Sequence, residues 1–132
     1  MGEEKNIIRE GIISEVYPAR HSARVTFEDK SDVVSAELPI LSPVAFKNKC
    51  SCLPDIGEDV ICIFMQNDEE SGAGFIIGSR FNDVVTPPAN SQEITRLDFS
   101  DGTFIQYDRE KSELRIECKG NVIINGKNIY LN

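Results

Sequence analysis

The stretch "FSDGTFIQYDREKSELRIECKGNVII", residues 99–124, alternates with a period of two. In a strand, Leu114, Ile116 and Cys118 fall on one side and Arg115, Glu117 and Lys119 on the other. Asp101-Gly102 is a hairpin signal, because the pair tolerates the positive φ that tight turns between strands need. Reading outward adds "TRLDF" (95–99) before it, and "NVIIN" (121–125) and "NIYL" (128–131) after it, with "SDG", "REKS", "KG" and "GK" as separators. Each predicted strand is short and offers few apolar residues, Ile129 with Leu131 for example. A segment of about 40 residues without a disulfide or metal rarely holds a core by itself. Charged opposite faces also stop it collapsing on itself. These strands must therefore find partners in the rest of the chain or in other copies, and oligomerisation is the expected route to burial. Regular short strands are also how β-solenoids and intertwined β-prisms are written, where stacking buries a continuous interior.

Upstream, "VVTPPANSQE" (84–93) breaks the alternation. Pro87 and Pro88 cannot donate ladder hydrogen bonds and stiffen an extended linker. The expected organisation is a domain over 1–84, a Pro-containing linker over 85–93 and a second segment over 94–132. In the first domain, predicted strands span 7–16, 23–27, 35–41, 59–65 and 74–81, separated by turn-rich sequence and one longer connection, "SPVAFKNKCSCLPDIG" (42–57). Period two dominates throughout and no helical stripe exceeds a couple of turns, so the chain is all-β. Five strands with one long connection suggest a small closed barrel of the OB type, since closure removes exposed edges. A six-stranded barrel or a sandwich would read similarly.

The glycines of "SGAGFIIGSRFND" (71–83) invite comparison with a phosphate loop. The spacing G-x-G-x-x-x-G followed by Ser-Arg fits neither the dinucleotide nor the triphosphate template, and Phe75, Ile76 and Ile77 favour a strand. Gly72 and Gly74 are read as a turn before that strand, and Gly78 as a close backbone approach after it. Among 132 residues, 22 acidic and 14 basic ones leave a net charge of −8, which repels nucleic-acid backbones and anionic lipid surfaces. The opening "MGEEKNIIRE" has neither the basic nor the apolar region of a secretion signal, no apolar run reaches a membrane span, and Asn6 stands where a myristoylation signal wants Ser or Thr.

Cys50, Cys52, Cys62 and Cys118 lack the paired spacing of a zinc site and are read as free thiols. His21, the only histidine, sits in a predicted turn without a motif-placed nucleophile or acid. Asp68, Glu69 and Glu70 do not follow a calcium-loop pattern and are read as a solvated hairpin tip. Glu58 with Asp59, and Asp98 with Asp101, could be imagined as paired carboxylates, but the sequence indicates no sugar cleft between them. No catalytic, cofactor or metal residue is therefore assigned.

Five ordered pieces carry a family resemblance. "GIISEVYPARHSARVTFED" (11–29), "SAELPIL" (35–41), "PDIGEDVICIF" (54–64), "GFIIGSRFND" (74–83) and the opening stretch itself resemble successive elements of the phage baseplate assembly protein V family. That family forms the central spike of contractile tails and is related to spikes of contractile secretion and bacteriocin systems. The resemblance implies an N-terminal OB-like barrel followed by a short C-terminal β-helix or β-prism intertwined from three chains. Leu114, Ile116, Cys118, Val122, Ile124, Ile129 and Leu131 are then the candidates for the spike interior.

It further implies a homotrimeric structural protein that terminates a tail tube and contributes to puncturing the target envelope. Its partners would be tube, hub and baseplate proteins. Its place would be the virion or tail-like particle, assembled in the bacterial cytoplasm. Some family members end in a His-x-His apex that binds metal, whereas here no histidine follows His21, so the expectation is a blunt spike, capped by a separate tip protein. The competing readings are an OB-fold module for oligosaccharide or nucleic acid, disfavoured by the acidic balance and the absence of Trp, and a peptidoglycan hydrolase, for which no inserted domain is visible.

Overall fold

A computed structural model describes residues 8–28, 33–65 and 73–132. The expected acidic tip at 68–70, Gly72 and the segment ahead of residue 8 lie outside the described residues. The chain is all-β, with antiparallel sheets, and divides into two units, Met1–Val85 and Thr86–Asn132.

In the first unit the strands are β1 (Ile8–Tyr17), β2 (Ser22–Phe27), β3 (Val33–Val34), β4 (Leu38–Pro39), β5 (Asp59–Phe64) and β6 (Gly74–Ser79). They form one sheet in the order β3-β2-β1-β5-β6, with β4 also paired to β2. Alternation turns Ala23, Val25 and Phe27 of β2 and Val60, Cys62 and Phe64 of β5 inward, where they pack with Ile13, Leu38 and Ile76. Phe27 and Phe64 meet edge to face at 5.7 Å. A register shift between Ile13 and Glu15 reverses the parity of β1, so that Val16 joins the same core. A side chain at Gly11 would collide with Val25 Cγ1 and come within 2.9 Å of Thr26 O, so β1 reaches the core only as glycine there.

Three expectations are corrected here. The strand read over 35–41 is broken, because the Ser35 hydroxyl accepts the Val25 N–H at 3.0 Å and Pro39 has no N–H to give. No closed barrel of continuous ladders results. Among the described residues, the far end of the sheet is reached only by the parallel bridge Ile40–Ile76 and the bond from Leu41 N to Ile76 O (3.0 Å). The closely approached glycine of the 71–83 stretch is Gly74, where a Cβ would lie 2.7 Å from Ile63 O, and not Gly78, which faces open space. Gly57 is a turn residue ahead of β5, at φ 95°.

The second unit is a three-stranded meander, β7 (Ile94–Asp98), β8 (Phe104–Asp108) and β9 (Glu113–Glu117). Asp101-Gly102 turns the first hairpin, with Gly102 at φ 94° and the Asp101 carboxylate accepting the Thr103 N–H at 2.9 Å. The second is turned by Asp108, whose carboxylate accepts the N–H groups of Glu110 and Lys111. Beyond Glu117 the reading is corrected: neither 121–125 nor 128–131 forms a strand, and among the described residues no other stretch pairs with them.

Candidate functional site

The register of the meander builds an unusual surface. Leu97, Ile105 and Ile116 are direct cross-strand partners, and so are Thr95, Tyr107 and Leu114. Direct partners point to the same face, so one side of the sheet carries two apolar rows. That side is open: Leu97 and Ile116 are more than half exposed and Leu114 is 64% exposed. The opposite face is polar and already partnered. Arg96 lies 3.7 Å over the Phe104 ring, pairs with Asp98 at 2.8 Å and donates to Gln106 at 2.7 Å. Arg115 lies between Glu113 and Glu117. The polar face is thus satisfied within one chain and the apolar face is not.

The surface continues into 118–132. Val122, Ile124 and Ile129 are all more than half exposed, and Leu131 is 92% exposed. Cys118 is half-buried, its thiol donating to Asn121 O at 3.5 Å. None of the seven residues read as spike interior is buried within one chain. Leu114 and Ile116 share a face of β9, opposite Arg115 and Glu117, while Cys118 lies just past the end of that strand and the C-terminal four are not joined to the sheet by any ladder. Sequence reading missed Leu97, Ile105 and Tyr107, which complete the apolar face. The signal that would have found them is hairpin register: the turn at Asp108 sets Ile105 opposite Ile116 and Tyr107 opposite Leu114, and Asp101-Gly102 then sets Leu97 opposite Ile105.

The remaining chemistry-bearing residues are dispersed. His21 ends the 3-10 turn Pro18–Arg20 in the left-handed region at φ 50°, and its Nε2 lies 3.0 Å from Ser42 Oγ. The sequence could not show that pair, because β4 carries Ser42 back across the turn. Cys62 is buried in the core and its thiol is pushed up to about 11 by that burial, while Cys50 and Cys52 are exposed. The imagined carboxylate pairs are held in structural bonds. Glu58 accepts from Ser79 Oγ and from Asp55 N, Asp59 accepts from the Asn82 amide at 2.6 Å, and Asp98 pairs with Arg96. Asp101 is held below the usual carboxylate range by the Thr103 hydrogen bonds. No group of three or more His, Cys, Asp or Glu residues that could hold a metal occurs among the described residues. No helix among them is long and apolar enough to cross a membrane. No known protein family and no curated protein matches the chain.

Proposed function

We propose that the chain is the structural, homotrimeric hub-and-spike element of a contractile tail, ending the tail tube and contributing to envelope puncture. The observation that carries this reading is the second unit, where an apolar sheet face stays exposed and residues 118–132 join no ladder among the described residues. Exposed apolar area of that kind marks an interaction surface, and unpaired edges of β7 and β9 are templates for further strands. In the proposed spike, three copies supply each other's missing ladders, with Leu114, Ile116, Cys118, Val122, Ile124, Ile129 and Leu131 turned inward as a β-prism or β-helix. Opening one strand would then disturb all three copies, which suits a stiff rod under axial load.

For the first unit the proposed architecture is OB-like. It is supported by Leu38–Leu41, a single segment that pairs with β2 on one side and touches β6 through Ile40 on the other. Tube, hub and baseplate proteins are the proposed partners, together with a separate tip protein, in a particle assembled in the bacterial cytoplasm. Immunogold labelling tests the role. Antibody against this chain is expected to mark one end of contractile tails from producing cells, and uniform label along the sheath or none on the particle would contradict it.

A further inference from the structure

The connection between β4 and β5 carries a small preformed projection. Ala45 and Lys49 form an antiparallel bridge, Phe46 N donates to Asn48 O at 3.2 Å, and Cys50 N donates to Val44 O at 3.2 Å. Its own backbone therefore holds the turn. Phe46 at the tip is 79% exposed, and Lys47 and Lys49 flank it. An aromatic side chain on a fixed turn has few rotors to lose on docking, which is why such residues serve as interface anchors. The complement of this tip is a surface that is both apolar and acidic.

The same unit carries such a surface elsewhere. A cleft of about 500 Å³ is lined by Ile8 and Ile12 together with the carboxylates of Glu10, Glu28 and Asp59. Its two arginines are already engaged: Arg80 lies 3.4 Å from Glu10, and the Arg9 guanidinium sits 3.8 Å over the Phe27 ring. The projection contributes nothing to this cleft within its own chain. The net charge of −8 makes another copy an acidic partner for the two lysines.

We propose that the projection of one copy docks in this cleft of the next copy. The Phe46 ring lies against Ile8, Ile12 and the face of the Arg80 guanidinium, while Lys47 and Lys49 approach Glu28 and Asp59. Projection and cleft are different patches, so the contact is heterologous and a three-fold rotation closes it into a ring. The contact rests on the three-copy assembly proposed above, but it ties the first units together and not the spike.

Site-directed crosslinking of the full chain tests it. With Cys50, Cys52 and Cys118 changed to Ser, Phe46→Cys combined with Glu28→Cys is treated with a short-spacer bismaleimide and run on a denaturing gel, and unmodified chain is sedimented in parallel. Covalent dimers and trimers are expected from the double variant and only monomers from either single variant. Phe46→Cys crosslinking to itself would overturn the proposal, since it would place the tips together. A trimer by sedimentation whose double variant stays uncrosslinked overturns this contact alone, while a monomeric parent overturns both it and the three-copy reading. Phe46→Ser in the otherwise natural chain gives an independent readout: midpoint dissociation at a concentration about tenfold higher, the scale of one lost interface anchor. An unchanged midpoint counts against the contact.

Discussion

The two units of this chain solve the burial problem in opposite ways. The first turns nine apolar side chains inward, from Ile13 to Ile76, and its charged groups stay at the surface or lie against an aromatic ring, as Arg9 does on Phe27. The second has three well-registered strands and no buried residue. Both are written with the same period of two, so alternation makes a strand but does not say where its apolar face is covered. What differs is the second layer. In the first unit the chain returns, through β4 and Ile40, to face its own sheet; in the second it runs on past Glu117 without turning back to form a ladder.

Removing the second unit should have the largest effect. A chain ending at Val85 is expected to keep the cooperative unfolding of the first core while losing most of its self-association, as measured by sedimentation. If it remains fully trimeric, the division of labour between the units is reversed.

Next comes the apolar face itself. Ile116→Asp is expected to disrupt assembly and Arg115→Asp to leave it largely intact, because the two side chains lie on opposite faces of β9. An unpaired carboxylate buried in the assembly costs several kcal/mol, on the order of the usual penalty for isolated buried charge, and recurs in each copy. Equal loss in both variants would mean that the register assigned to the covered face is wrong.

Phe27→Ala sharpens the comparison from the other side. It should destabilise the first unit by about 3–5 kcal/mol in denaturant titration, the range for removing a buried Phe, without exposing any residue of the second. The smallest effect concerns acid. Glu37 is held below the usual carboxylate range by hydrogen bonds from Arg20 and Ser22. A lowered folded value contributes stability above the ordinary carboxylate range, and that contribution is lost as pH falls through the lowered value. Glu37→Gln should therefore slightly flatten the acid side of the first unit's melting profile. An unchanged profile would show that the exposed pair adds nothing, as many surface pairs do.

Most of this architecture was legible in the sequence because local rules dictate it. The inward sets of β2 and β5 follow from alternation, and Asp101-Gly102 and Gly57 mark turns that require positive φ. What was not legible came from side chains that interrupt the pattern and from contacts between distant segments. The Ser35 hydroxyl takes a backbone donor and splits a strand that reads as continuous, and the Gly11 and Gly74 positions are decided by what packs above them. For 118–132 the alternation promised strands, but a ladder needs a second strand, and none pairs with it among the described residues. The candidate surface was half legible: Leu114 and Ile116 stand out by spacing, while Leu97, Ile105 and Tyr107 join them only through the hairpin register.

The central claim, that the second unit is completed by other copies, is tested most directly by the mass of the full chain in solution. Light scattering at micromolar concentration is expected to give three times the 14.7 kDa chain. A single-chain mass, with slow amide exchange in β7 to β9, would contradict it.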